Sequence, residues 1–363
     1  MKSPRKTLLG AVLCCSTCML LVSIAGALPT PRATQGQSDA QAKIVVNSNL
    51  VILPVTVKDS AGNLVPDLRR DEFRVLEDNV EQRIDVFTAE AFPLSVVILI
   101  DNDLKDKDAA AVQASLDSIL LGLSDQDEAE VCRFDQFFHP GKGFTTDQDK
   151  LRTELKRTKL DTEPSVGPPG GPFNGPVINN HSVVDQQAVN PSEQLIKGQP
   201  TKGLDDAVYA ASQLLRDRNR GRRRLIVLIS DGIDGGKKFN TFSYDQVVHT
   251  LLAENVTVYS LAAPSALLER RVSPLDRTVS RLIRYADATG GEVYHATKEH
   301  SLEEFYSRLT EEARYEYTLA YSPRGTNPAN DYHTVEVRIR REGLNVKTRQ
   351  GYFTGAIPTG SAP

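Results

Sequence analysis

Two short apolar runs deliver carboxylates to their C-terminal ends. Leu94 to Lys105 reads LSVVILIDNDLK and closes on Asp101, Asn102 and Asp103, while Arg224 to Ser230 (RLIVLIS) ends at Asp231, with Gly232 and Asp234 behind it. Runs this short and this β-branched are strands buried on both faces, as in a parallel sheet covered by helices. In open α/β sheets ligands bind outside the carboxyl ends of the strands, so two strands point acids at one rim. Oxygen ligands brought together from separate loops suit a hard cation such as Mg²⁺, with waters completing its shell.

Other chemistries lack their residues. A dinucleotide site needs a glycine-rich turn after the first strand, and Asp101 to Lys105 contains no glycine. There is no G-x-S-x-G elbow and no H-E-x-x-H pair, and the six histidines are scattered. Asp101-x-Asp103 could begin a calcium loop, but Asp106 stands where that loop needs glycine and Val112 where it needs glutamate. A plainer role is open to the same acids: Asp103 and Asp106 can favour the start of a helix, and Asp231-Gly232 can be a turn. The run Arg216, Arg218, Arg220, Arg222, Arg223 and Arg224 is read as a solvated cluster at a helix C-terminus rather than an anion site.

The elements that position these residues alternate strand and helix. Helices are expected over Asp108–Leu123, Gln148–Leu160, from Thr201, over Tyr244–Glu254, Leu275–Thr289 and Ser301–Ala313, and strands over Glu128–Phe137, Val256–Ala262 and Glu292–Ala296. Lys142–Thr146 is expected to be a short strand partner. Repeated βα units make a doubly wound, mostly parallel sheet. Residues 161–200, rich in Pro and Gly, break the pattern as a long mobile loop. On either side the period changes to two: Val51, Leu53, Val55 and Val57, with Pro54 suggesting a sheet edge, and Tyr315 to Tyr321 and His333 to Ile339 near the other end. Neither set of strands suffices alone, so the terminal segments are expected to combine into one β-sandwich from which the α/β domain projects.

The chain has 363 residues, 40% of them hydrophobic, and a formal net charge of -4. That charge gives no reason to expect nucleic acid. Residues 1–27 read as a signal peptide: Lys2, Arg5 and Lys6, an apolar run from Leu8 to Ile24, then Ala25-Gly26-Ala27; the alternative is an uncleaved membrane anchor, since the apolar run is about the length of a short span. Cys14, Cys15 and Cys18 leave with it, and Cys132 remains as a small buried hydrophobe without a disulfide. The layout is then a leader at 28–42, an N-terminal β module at 43–92, an α/β domain at 93–314, completing strands at 315–353 and a tail at 354–363.

Beyond these physical readings, the segments VKDSAGNLVPDLRRDEFRVLEDN, LIVLISDG, YTLAYSP and GLNVKTRQGYF occur in an order that resembles the VWFA-related proteins of acidobacteria, over roughly residues 44 to 353, and the central part resembles the von Willebrand factor A (VWA) domain. The resemblance implies a metal-ion-dependent adhesion site of the form D-x-S-x-S, a threonine opening a later helix and a further aspartate. Asp101, Thr201 and Asp231 fall on those positions, Asp103 replaces the first serine and Lys105 the second. Lysine offers donors and a positive charge, never an acceptor. Lys105 is therefore expected to act as an internal counter-ion for Asp101, Asp103 and Asp231, leaving Mg²⁺ weakly bound or absent. The competing arrangement turns Lys105 into solvent and lets Asp103 strengthen the site.

The signal segment implies export, to the periplasm, the cell surface or beyond, and the resemblance implies a non-enzymatic module that docks a protein partner through a degenerate site. No nucleic acid and no stable membrane insertion after signal cleavage are expected. The alternatives are a metal-dependent hydrolase using Asp101, Asp103 and Asp231, or a structural scaffold.

Overall fold

The Leu94–Asp101 strand is buried along all eight residues and lies in a six-stranded sheet. The computed structural model describes residues 50–158, 202–219, 221–264, 266, 269–273, 276–295, 302–324 and 331–354, with the short paired segments 177–178 and 181–182. Side chains alternate across the sheet: Leu94, Val96, Ile98 and Ile100 enter one apolar cluster, and Val97 and Leu99 the other. Such a strand must be apolar on both faces because both faces are covered.

Arg223–Ser230 runs parallel to it on one side, followed outward by Val256–Ala262 and Val293–His295. Glu128–Phe134 runs parallel on the other side, with Phe138–His139 antiparallel at the edge. Numbered along the chain, the order is 3-2-1-4-5-6, the doubly wound arrangement, and the direction of winding reverses between Leu94–Asp101 and Arg223–Ser230. The acids thus stand at the topological switch point.

Five α-helices of the described residues pack against this sheet: Asp106–Ser115, Gln148–Arg157, Leu204–Arg216, Tyr244–Ala253 and Arg281–Thr289; a sixth, Leu302–Arg314, precedes the closing strands. Three expected helices need correction. The first tightens into a 3₁₀ segment at Leu116–Gly122. The third begins at Leu204 with Gly203 as N-cap, not at Thr201. Among the described residues of Leu275–Thr289, Arg281–Thr289 is helical and Asp276–Val279 instead pairs with Glu269–Ser273 as a hairpin. Ser280, whose hydroxyl accepts from Leu282 N at 3.2 Å, provides the stop between the two. The strand partner expected at Lys142–Thr146 is reduced to one bridge, Ala129 to Thr145. The loop 161–200 lies outside the described residues apart from the pair Val177–Ile178 and His181–Ser182.

Strands from both ends of the chain make two further four-stranded antiparallel sheets. One has the order Asn345–Thr348, Val51–Lys58, Tyr317–Tyr321, Val86–Thr88, and the other Gly351–Phe353, Tyr332–Ile339, Phe73–Glu77, Val80–Gln82. Leu53, Val55, Phe73, Val75, Tyr317, Leu319 and Val337 fill the space between them. Pro54 does not mark an edge, since its strand is flanked on both sides. The proline is tolerated because pairing to Asn345–Thr348 covers only Val55–Lys58, so its missing N–H interrupts no ladder bond on that side.

The charged residues near the junction are spent on these contacts. Arg223 donates to the buried Glu316, while Arg216 and Arg218 make partly exposed ion pairs with Glu254 and Glu128. Arg349, fully buried, donates to the Leu252 carbonyl at 3.3 Å and to Asn255 Oδ1 at 3.2 Å, and burial pushes its guanidinium down to about 10. Cys132 is a buried thiol pushed up to about 12 by burial, an inert core residue.

Candidate functional site: a lysine held by two strand-end aspartates

Asp101, at the end of the central strand, is completely buried. Its Oδ1 accepts from Asp103 N at 3.0 Å, and its Oδ2 accepts from the Ser230 hydroxyl at 2.6 Å and from Lys202 Nζ at 2.8 Å. Asp231 lies one strand away; its Oδ2 accepts from the same ammonium at 2.9 Å and its Oδ1 from Ile233 N at 3.0 Å. Lys202, 2% exposed, therefore sits between the two carboxylates that close the two central strands.

The backbone fixes the lysine in place. Gly203 N donates to the Asp135 carbonyl and Gly235 N to the Lys202 carbonyl, each at 2.9 Å, which clamps this stretch between the loops after two strands. A Cβ on Gly235 would come within 2.8 Å of the Lys202 carbonyl oxygen, so the approach requires glycine there. Gly232, with φ of +75°, makes the turn that lets Asp231 Oδ1 meet Ile233 N.

Burial is the main cause that raises Asp101, to about 6, and Asp231 adds to it, while Lys202 and the Ser230 hydroxyl pull it back. Lys202 is raised: the attraction of Asp101 and Asp231 outweighs the burial that works against its charge. The cluster is thus an ammonium holding two carboxylates that would otherwise repel one another. Asp103 is half-buried and raised, by burial first and then by Asp231 and Asp135, against the pull of Lys202. Asp135 beside it accepts from Phe137 N at 2.8 Å and contacts His139 Nε2 at 3.0 Å.

The residues singled out in the sequence are placed as follows. Asp101 and Asp231 share the lysine, and Asp103 stands at their edge. Thr201 lies outside the described residues. Lys105 is not the counter-ion: it is exposed, serves as N-cap of Asp106–Ser115, and its backbone carbonyl accepts from Asp108 N and Ala109 N. Proximity in sequence favoured it, but the helix start turns it outward, and the ammonium arrives instead from Lys202 on a distant segment.

This corrected geometry bears on the cation that the resemblance implied. An ion at this rim would draw on oxygens of Asp101 and Asp231, and Oδ2 of each is engaged by a fixed ammonium, with Asp101 Oδ1 and Asp231 Oδ1 turned to backbone donors. A second positive charge at this position would be repelled and would find its ligands occupied. The donor set does not fit a divalent ion while Lys202 is present.

No family model matches the chain, and no curated protein matches it. Among solved structures, the chain is similar to an aerotolerance-related membrane protein from Bacteroides fragilis, crystallised with multiple mutations to serines (15% identity, TM-score 0.36, covering 60% of this chain and 98% of that one). It is also similar to manganese-loaded TRAP protein from Plasmodium vivax (11%, 0.38, 73% and 97%) and to the SpRpn10 VWA domain (11%, 0.32, 59% and 93%). The strand order described above makes the fold α/β and doubly wound, with two four-stranded antiparallel sheets added. No helix among the described residues is long and apolar enough to cross a membrane.

Proposed function

We propose that this chain is an exported, non-enzymatic VWA-like module that docks a protein partner on the strand-end rim without a divalent cation. The observation that carries this reading is the position of Lys202 Nζ, 2.8 Å from Asp101 and 2.9 Å from Asp231, where a bridging cation would otherwise stand. A built-in ammonium fixes the two strand ends against each other and makes the rim rigid whatever the metal supply. Two large apolar side chains stand on the same rim, Phe137 at 48% and Ile233 at 41% exposed, one following each of two sheet strands. A partner docking on this rim would bury both apolar side chains beside the fixed polar centre. A hydrolytic role is less favoured, because Asp101 and Asp231 are both buried and present no carboxylate to solvent as a base.

The test is calorimetric titration of Mg²⁺ and Ca²⁺ into chelator-treated protein, beside Lys202→Ser. The parent is expected to give no binding heat, and Lys202→Ser to take up one ion, since removing the ammonium frees two carboxylates and adds a hydroxyl. Uptake by the parent equal to that of the variant would overturn the cation-independent reading.

A further inference from the structure

A second buried acid cluster lies in the β-sandwich, and its construction differs from the rim. Glu77 ends the strand Phe73–Glu77, opposite Val335. Asp78 and Asn79 follow with φ of +48° and +66°, the two left-handed positions that a two-residue type I′ hairpin demands. The turn carries Asp78 over the neighbouring strand, where its Oδ1 accepts from Thr334 N at 2.9 Å and from the Thr334 hydroxyl at 3.0 Å. Its Oδ2 is left 2.7 Å from His333 Nδ1, and Glu77 Oε1 lies 3.6 Å from the same nitrogen.

Glu77 is completely buried, and His333 is 1% exposed. Glu77 Oε1 accepts from the Tyr352 hydroxyl at 3.0 Å. Its Oε2 accepts no hydrogen bond among the described residues, and neither does the Tyr321 hydroxyl have a partner there. Burial, and next a hydrogen-bonding approach to the Glu77 carboxylate, hold the Tyr321 phenol well above its ordinary range, so the Tyr321 hydroxyl stands beside Glu77 without reaching hydrogen-bond geometry. A buried carboxylate oxygen without a well-aligned donor is destabilising, the more so when it carries charge. Arg349, the buried guanidinium in this region, directs its hydrogen bonds to Leu252 and Asn255 instead. The cluster lacks the cation that the rim supplies for itself.

We propose that Glu77, Asp78 and His333 form a site for a divalent transition-metal ion of the Zn²⁺ class. One imidazole nitrogen and two carboxylates are a donor set that zinc accepts, and imidazole selects against Mg²⁺ and Ca²⁺. Donors held about 2.1 Å from one ion stand roughly 3.0–3.4 Å apart, depending on geometry. The observed contacts of 2.7 Å and 3.6 Å bracket that span, and one ligand atom from each residue falls within 4.8 Å of the others. The ligands are also supported from behind. The His333 ring stacks on Tyr352 with centroids 5.4 Å apart, Tyr352 holds Glu77, and Thr334 holds Asp78. Such outer contacts set ligand orientation in metal sites. Entry lies on the Asp78 side, where 29% of that side chain is exposed. The site is independent of the rim and of the function proposed for it.

The experiment titrates Zn²⁺ alone into the chelator-treated full chain against a competing chromophoric chelator, and repeats it with Asp78→Asn and His333→Gln. Substitution with Co²⁺ adds a visible spectrum that reports an imidazole ligand. One equivalent of Zn²⁺ is expected in the parent, weakened by at least about tenfold in either variant, with the Co²⁺ spectrum altered in His333→Gln. If His333→Gln does not fold, Asp78→Asn, altered at a partly exposed turn, carries the test. No uptake by the parent, or uptake that the folded variants leave unchanged, would overturn the assignment.

Discussion

The two buried acid clusters solve one problem in opposite ways. At the rim, Asp101 and Asp231 share the ammonium of Lys202, and the oxygens of both are matched inside the chain. In the sandwich, the basic side chain that Glu77 and Asp78 meet is an imidazole, and Glu77 Oε2 has no hydrogen-bond partner among the described residues. Buried carboxylates need either a cation or a proton, and the identity of the nearest basic side chain decides which. A lysine brings a permanent charge and closes the site. A histidine can give up its proton, so that nitrogen becomes available to an ion.

Removing the internal cation should give the largest effect. In Lys202→Met the stem is retained while the ammonium is lost, leaving two buried carboxylates face to face, so a loss of about 3–5 kcal/mol is expected. Denaturant unfolding at neutral pH measures it. A loss below about 1 kcal/mol would mean that the cluster relaxes to solvent and that Lys202 is not what holds the strand ends together.

The next effect concerns pH. Asp101 is raised to about 6 by burial, above the ordinary aspartate value of about 3.9. The folded chain therefore binds this proton more tightly than the unfolded chain. The contribution is fully present below about pH 4 and is lost as pH rises through 6. A shift of about two units corresponds to about 2–3 kcal/mol. Lys202, raised by the same partners, has the complementary sign: its contribution holds at neutral pH and is lost only as pH rises through its own folded value. The measurement is the stability of the parent minus that of Asp101→Asn at pH 4 and at pH 6.5. The difference should fall between the two, and a flat difference would show that Asp101 is ionised throughout.

How much of this was readable in the chain depends on distance along it. The strand Leu94–Asp101, its double-sided burial and the acids at its end follow from local composition, because a buried parallel strand has to be apolar on both faces. The sandwich was readable because alternation survives at both ends of the chain. Residues 275–289 were misread because periodicity does not separate a short β-rich stretch from the start of a helix, and Ser280 divides them. Lys202 was missed for a different reason. It is 101 residues from Asp101, and only the closure of the sheet brings it there, whereas Lys105 stood four places along and drew the attention. Its one local signal is its place in TKGLDD, directly after the threonine singled out and before a helix opening on two aspartates. Glu77 and His333 are further apart still and belong to strands that no motif connects.

The smallest effect sharpens the contrast between the two lysines. Lys105 is exposed at the N-cap of Asp106–Ser115, where a positive charge gains nothing from the helix dipole and its side chain makes no capping bond. Lys105→Ser should therefore change stability by less than about 0.5 kcal/mol, or raise it slightly, because serine is a good N-cap and lysine is not. It should also leave cation binding unchanged in the titration that separates Lys202→Ser from the parent. An ion taken up by Lys105→Ser but not by the parent would return the counter-ion role to Lys105 and require Lys202 to leave the two aspartates in solution. The pair of serine variants thus asks the question at both positions, with chemistry identical and only the burial of the lysine different.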